Sequence, residues 1–145
     1  MNAILFPGQG VQTVGMMDSL FGSSKRAKDL FVKASEVIDV DLVELVSVDS
    51  KNLIDLTEYS QPIILASSIA LAEHHTDKAN FNFCAGLSLG EYSALVYSEC
   101  LDFLDAIKLV HIRGQLMQNS VAPDEAKMLV IMGMNHDDIN SLINE

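Results

Sequence analysis

The chain is poor in basic residues, and this scarcity excludes one broad class of partner. Lysine and arginine number 9 against 20 aspartate and glutamate residues, which gives a formal net charge of −11. Binding to a nucleic-acid backbone needs clustered lysine and arginine, so we expect no nucleic acid as partner. The one basic cluster, Lys25-Arg26-Ala27-Lys28, is explained as well by a solvated first helical turn as by a docking role.

Long apolar runs and cysteines are also scarce. The sequence has no apolar run of about 18 residues and no N-terminal signal-peptide pattern, so we expect a cytoplasmic protein without membrane contact. Cys84 and Cys100 form no C-x-x-C pair, and we predict buried free thiols. The histidines and carboxylates lack a metal-ligand spacing such as H-E-x-x-H, so we predict no metal.

What is present is a domain-sized pattern of alternating strands and helices. The 145 residues are 49% hydrophobic and 20% charged, which is enough for a core. The helix over 62–74 is apolar nearly all round and should be central, with Pro62 in its first turn. Further helices are expected after the capping residues Ser24, Asp41, Asp102 and Asn135, and over 91–97; strands are expected at 3–6, 81–85 and 128–132, and a loop at 47–59.

Ser88 lies in the pentapeptide Gly86-Leu87-Ser88-Leu89-Gly90, between a predicted strand and a predicted helix. This sequence in this context is typical of a tight turn that exposes a serine hydroxyl at the end of a strand. The N-terminus of the following helix directs free N–H groups toward a reacting oxygen. The motif predicts acyl transfer through a seryl ester, although small residues around a serine also occur in ordinary strand-to-helix turns.

A second glycine-flanked loop, Pro7-Gly8-Gln9-Gly10, follows the first predicted strand. In sheet enzymes with a serine nucleophile, the oxyanion hole combines two backbone amides. One belongs to the residue after the nucleophile, and the other to the loop that follows another strand. We therefore predict that the amides of Leu89 and Gln9 form the oxyanion hole of Ser88.

Four segments together carry a family resemblance: Phe6–Gly10, Gln61-Pro62, Gly86–Tyr92 and Arg113–Met117. In order and spacing they resemble the malonyl-CoA:acyl carrier protein transacylases of fatty acid synthesis. The whole chain matches only the front part of that family. One departure is Leu87, where many members have a histidine that is not the general base, so the change bears on packing and pocket shape.

The resemblance implies a fold and a substrate. The fold would be α/β, with an α/β-hydrolase-like large subdomain containing a parallel sheet over 1–124 and the truncated start of a ferredoxin-like small subdomain over 125–145. Arg113 would bind the malonyl carboxylate, which a guanidinium holds with two parallel hydrogen bonds. Without the resemblance, we would predict that Arg113 is a surface residue beside an apolar stripe. Gln61 would line the pocket or cap its own helix.

The reaction implied is transfer of malonyl from coenzyme A, through Ser88, to the phosphopantetheine thiol of acyl carrier protein, in fatty acid or polyketide synthesis. Malonyl-CoA is then a substrate, and no cofactor is needed. None of His74, His75, His111 and His136 matches the family's base, which lies in the portion absent from this sequence.

Two alternatives follow from the missing base. The chain would be a catalytically silent fragment, or one half of a split enzyme that a C-terminal partner completes. A weaker reading is an α/β-type serine hydrolase. The final strand and helix lack the partners that complete a layer, so we expect the sequence to stop inside a subdomain.

Overall fold

A computed structural model describes residues 1–120 and 131–143 of the chain. Helices predominate in it and surround one small sheet. The strands are β1 (Ala3–Phe6) and β2 (Phe83–Gly86); the helices are α1 (Asp18–Ser23), α2 (Lys25–Ile38), α3 (Leu42–Ser47), α4 (Thr57–His75), α5 (Leu89–Tyr97), α6 (Phe103–Gln118) and α7 (His136–Ile143), with a 3₁₀ turn at Lys78–Asn80.

Strands β1 and β2 pair in parallel, with Phe6 opposite Gly86. Parallel strands joined by helices make this an α/β protein, as predicted. Side chains alternate between the two faces of a strand, so Phe6 enters the core whereas Leu5 is 75% exposed. Phe83 is also exposed, at 57%. One face of the sheet therefore packs on helices, and the other presents apolar side chains to solvent.

Helix α4 forms the centre of the fold, as its composition predicts. Every residue from Ser60 to Ala70 is buried. The adjoining helices contribute Phe31 from α2, and Ile107 and Val110 from α6, all fully buried. A helix enclosed on all sides tolerates apolar residues around its whole circumference.

Local capping signals correctly located four helix starts. The Ser24 hydroxyl accepts from the Ala27 amide at 3.2 Å, and an Asp41 carboxylate oxygen accepts from the Glu44 amide at 2.9 Å. Asp102 accepts from two first-turn amides of α6. Asn135 accepts from the Asp138 amide at 2.9 Å at the start of α7. Each bond satisfies an amide that lacks an acceptor inside its own helix.

The predicted start of α4 is wrong. The helix begins at Thr57 rather than at Pro62, so the proline lies inside it. Leu56 at the N-cap supplies no side-chain bond. Instead, the Thr57 amide donates to Oε1 of Gln118 at 3.0 Å, a residue 61 positions away at the end of α6. A cap supplied by a distant helix leaves no signal in the local sequence.

Other differences concern short elements and exposure. Helix α1 was not predicted, and it buries only Leu20. Strand β2 begins at Phe83 rather than at residue 81, because pairing with the four residues of β1 sets its extent. Cys100 is exposed, contrary to prediction, since it follows α5 on the surface; Cys84 is half-buried.

The described residues include only part of the elements predicted near the C-terminus. Residues 128–130 of the predicted strand, and the predicted boundary at 124/125, lie outside the described residues. Ile131 and Met132 are not in a strand. Helix α7 matches the predicted helix and buries none of its residues. Across the described ranges, none of the helices is long and apolar enough to cross a membrane.

Candidate active site

Ser88 lies at the turn between β2 and α5 in a strained backbone conformation. Its φ is 52° and its ψ is −102°. Positive φ is uncommon for a residue with a side chain, and such strain concentrates at functional sites. Ser88 occupies the N-cap position, yet its side chain makes no capping bond. The hydroxyl is thus exposed at the N-terminus of α5, and it accepts no capping hydrogen bond from the amides of that helix.

The loop after β1 lies directly against this turn. The Leu87 amide donates to the Phe6 carbonyl at 3.2 Å. A Cβ added to Gly8 would lie 3.1 Å from the Leu87 carbonyl oxygen, and one added to Gly90 would collide with the Phe6 carbonyl. The two glycine-flanked loops that the sequence pointed to are therefore neighbours, because both follow adjacent parallel strands.

Arg113 joins the serine to the central helix. Its Nη2 donates to Ser88 Oγ at 3.0 Å, and its Nη1 donates to Gln61 Oε1 at 2.7 Å. Gln61 is fully buried in α4, and its Nε2 donates to Met117 Sδ at 3.3 Å. Gln61 therefore orients the arginine and does not cap its own helix. Gln61 of α4, Arg113 of α6 and Ser88 in the turn before α5 meet at one point.

The electrostatic surroundings of Arg113 are unusual for a protein with this much negative charge. The guanidinium is half-buried, and its hydrogen-bond partners are the neutral oxygens of Gln61 and Ser88. It also lies over the ring of Tyr92, 5.7 Å from the ring centre. Within the described ranges no carboxylate pairs with it. A partly desolvated cation without a counter-ion attracts an anionic ligand.

Gln9 and Leu89 are the predicted amide donors: Leu89 follows the serine directly, and Gln9 follows Gly8, which lies against Leu87. The Gln9 side chain donates to Thr57 Oγ1 at 3.3 Å, which ties the opening loop to the start of α4. The Leu89 side chain is buried at 1% exposure, which anchors the first turn of α5. Leu87 is 74% exposed and borders the site from the solvent side.

The four histidines lie in other surroundings. His74 and His75 end α4 and stack edge to face, 4.6 Å between ring centres. His136 begins α7 and is exposed. His111 is bonded to the Glu58 carbonyl. In the part of the chain that the structure describes, no histidine is hydrogen-bonded to Ser88.

Sequence reasoning did not single out two contributors to this site. Tyr92 lies four residues after Ser88, on the same face of α5, and that spacing alone would have placed it near the serine. Met117, which accepts from the Gln61 amide, ends the Arg113–Met117 segment of the resemblance, but the sequence indicates no role for it, since methionines most often fill cores.

Helices around a parallel strand pair, with a strained serine between strand and helix, place the protein in the α/β class. The chain belongs to the acyl transferase domain family, whose model matches residues 4–136. This agrees with the resemblance carried by the four sequence segments.

Several curated relatives are named malonyl CoA-acyl carrier protein transacylase. The one from Staphylococcus aureus (strain MSSA476) is 37% identical over 140 residues, which is 97% of this chain and 45% of the relative. The one from Haemophilus influenzae is 41% identical over 140 residues, 94% of this chain and 45% of the relative. The chain therefore spans about half the length of the curated relatives it matches.

Solved structures of such enzymes are similar in fold. The malonyl CoA-acyl carrier protein transacylase from Coxiella burnetii matches with a TM-score of 0.88 and 35% identity, over 98% of this chain and 46% of that one. A malonyl-transacylase solved in complex with a type II PKS acyl-carrier protein matches with a TM-score of 0.76 and 40% identity, over 83% of this chain and 40% of that one.

Proposed function

We propose that this chain forms the nucleophile-bearing part of a malonyl-CoA:acyl carrier protein transacylase of fatty acid or polyketide synthesis. The observation that carries the proposal is the 3.0 Å contact between Arg113 Nη2 and Ser88 Oγ. A nucleophile and a carboxylate-binding group at this separation suit a short acyl chain that ends in a carboxylate. The cytoplasmic location expected from the sequence belongs to this proposal.

In the proposed reaction, Ser88 Oγ attacks the malonyl thioester carbonyl and transfers its proton to a base. The tetrahedral intermediate expels coenzyme A and leaves a malonyl ester on Ser88. The phosphopantetheine thiol of acyl carrier protein then attacks this ester and releases the serine. The amides of Leu89 and Gln9 would stabilise both oxyanions, since one begins a helix and the other lies in the adjoining loop.

Arg113 would select the malonyl group. An incoming carboxylate would replace Ser88 Oγ as acceptor, and the guanidinium would hold it with two parallel bonds. Gln61 supports this role because it fixes Nη1 from a fully buried position. An acetyl group has no carboxylate to pair with the guanidinium. The preference for malonyl over acetyl would therefore arise from one bidentate contact.

The surrounding architecture is part of the proposal. We assign residues 1–124 to an α/β-hydrolase-like large subdomain and residues 125–145 to the start of a ferredoxin-like small subdomain. The open apolar face of the sheet, with Leu5 75% and Phe83 57% exposed, supports a larger sheet layer in the complete domain.

The second candidate is a half-enzyme that a separate C-terminal polypeptide completes. Two observations favour it: the hydroxyl of Ser88 is bonded to an arginine rather than to a base, and the sheet presents an uncovered apolar face. A serine hydroxyl is a weak nucleophile without general-base assistance, which typically contributes about 10²–10⁴ in rate. Such a polypeptide would bring the histidine.

Intact-mass measurement after incubation with malonyl-CoA tests both candidates. The chain is assayed alone and with the polypeptide that corresponds to the unmatched C-terminal part of the Haemophilus influenzae relative, each with and without holo acyl carrier protein. Ser88→Ala is the test variant. Ser98→Ala is the matched control, because Ser98 lies at the far end of α5 and, among the described groups, its hydroxyl bonds only the Leu95 carbonyl.

A malonyl adduct on Ser88 that is transferred to carrier protein supports transacylation. If the adduct forms only when the C-terminal polypeptide is added, the result supports the split enzyme. Steady release of coenzyme A without carrier protein indicates a hydrolase. If neither mixture gives an adduct on Ser88, both candidates are wrong.

A further inference from the structure

Pro62 leaves one backbone carbonyl of α4 without its usual donor. In an α-helix the carbonyl of residue 58 accepts from the amide of residue 62, and a proline has no N–H. Pro62 is fully buried and lies well inside a helix that begins at Thr57. The Glu58 carbonyl is part-buried, and an acceptor shielded from water without a partner is destabilising, so it needs a donor from outside the helix.

His111 of α6 supplies that donor. Its Nδ1 lies 2.9 Å from the Glu58 carbonyl oxygen. A carbonyl can only accept, so Nδ1 carries the proton. Nε2 is then free to accept, and Nε2 of Gln115 lies 3.1 Å from it, one turn further along α6. The neutral Nδ1–H tautomer satisfies both contacts at once.

The same stretch of α6 carries the arginine of the site. A Cβ added to Gly114 would collide with the backbone of Thr57 and Glu58, so the two helices touch backbone to backbone there. Arg113 reaches Gln61, which lies three residues after Glu58 on α4. A shift of α6 along α4 would therefore displace the guanidinium from Ser88.

We propose that His111 is a positioning residue for acyl-group selection. It sets α6 against the proline-interrupted turn of α4 and thereby holds Arg113 at Gln61 and Ser88. The effect on acyl-group selection rests on the proposed function. The contact between His111 and the Glu58 carbonyl can be tested without enzyme activity.

A double-mutant cycle with Pro62 tests the contact. His111→Leu should raise the unfolding equilibrium constant by roughly ten- to a hundredfold, since it leaves a part-buried carbonyl unpaired. In the Pro62→Ala background the alanine amide can bond the Glu58 carbonyl, so the same change should have little effect. Equal effects of His111→Leu in both backgrounds would overturn the proposal. Long-range ¹⁵N NMR should detect an Nδ1–H imidazole, and a protonated Nε2 alone would contradict it.

Positioning is tested by rescue. Asparagine places an amide nitrogen close to the position of Nδ1, so His111→Asn should keep the Arg113 Nε–H NMR signal where it is, whereas His111→Leu should shift it. Where Ser88 is malonylated, the ratio of malonyl to acetyl adduct should fall about tenfold or more in His111→Leu and recover in His111→Asn. The control is His75→Leu at the exposed end of α4. If the Arg113 signal does not move in His111→Leu, the positioning role is refuted, even if the protein forms no adduct. If the unchanged protein forms no adduct, that result counts against the proposed function alone.

Discussion

Arg113 of α6 donates to the hydroxyl of Ser88 across 3.0 Å, although Ser88 lies 25 positions earlier, in the turn before α5. The contact brings the cation and the nucleophile of the proposed reaction together before any substrate is bound. Because the other guanidinium nitrogen is fixed by a buried amide, the cation stays at the serine instead of turning to solvent. Preorganised charge of this kind does not have to be assembled during the reaction.

Loss of the guanidinium should remove the preference for malonyl. We expect Arg113→Met to slow malonyl adduct formation on Ser88 by roughly ten- to a hundredfold, because a hydrogen bond to a charged group contributes about 1.5–3 kcal/mol. Acetyl adduct formation should change little. Intact-mass kinetics with malonyl-CoA and acetyl-CoA measure both rates. Arg26→Met is the control, since this arginine pairs with Glu73 on the surface; an equal loss with both acyl groups would contradict the assigned role.

A methyl group at position 90 should separate the two loops of the site. Gly90→Ala places a Cβ against the Phe6 carbonyl, and overpacking of this kind typically costs about 1–3 kcal/mol. Gly22→Ala in α1 is the matched control, because nothing lies within 4 Å of its added Cβ. The control should be neutral or stabilising by about 0.5–1 kcal/mol, as for other helical glycines. Urea unfolding of the two variants measures the difference, and similar midpoints would contradict the predicted clash.

The ion pair at the 3₁₀ turn should give Glu99 an altered titration. The hydrogen bond from Lys78, and then its charge, hold the pKa of Glu99 below its usual value. The stabilisation that results is present above the unfolded-state pKa and is lost as pH falls through the folded-state pKa. Lys78→Met should raise the pKa of Glu99 toward its usual value.

A ¹³C NMR titration of the Glu99 carboxyl measures this pKa. Lys108→Met, whose lysine faces Asp105, should leave the Glu99 curve in place. High salt should reduce the difference between Lys78→Met and the unchanged protein, since both partners are in contact with solvent. An unchanged Glu99 curve in Lys78→Met would show that the pair does not form in solution.

The open sheet face gives the second candidate function its own test. Leu5→Lys should change the free energy of unfolding by no more than about 0.5 kcal/mol, because the side chain already faces solvent. The same change should prevent the C-terminal polypeptide from restoring adduct formation, since it introduces a charge into the surface that this polypeptide would cover. Phe6→Ala, from the buried face, should cost about 3–5 kcal/mol. Complementation that survives Leu5→Lys would show that the partner binds elsewhere.

Local signals predicted much of the fold, and distant contacts account for what was missed. Ser24, Asp41 and Asp102 cap their helices through bonds to amides two or three residues away, so sequence alone located them. The start of α4 depends on Gln118, and no local pattern reveals that cap.

The candidate site was predictable only in outline. A strand-to-helix serine pointed to Ser88, but the convergence of Arg113 and Gln61 on it was expected from family resemblance alone. Packing of three helices created that meeting point, and helical spacing within one segment carries no information about it. The bond between His111 and the Glu58 carbonyl likewise arises only when two helices meet around a proline.

Phe6 and Gly86 form the last residue pair of β1 and β2, so the two loops of the site leave the sheet at the same level. Deletion of a single residue from either strand would advance one loop past the other by about 3.3 Å. A deletion near the start of β1 would also turn Leu5 toward the interior and Phe6 toward water, because each step along a strand reverses the face. Length variation in this family should therefore be confined to segments outside these two strands, such as the stretch between α3 and α4.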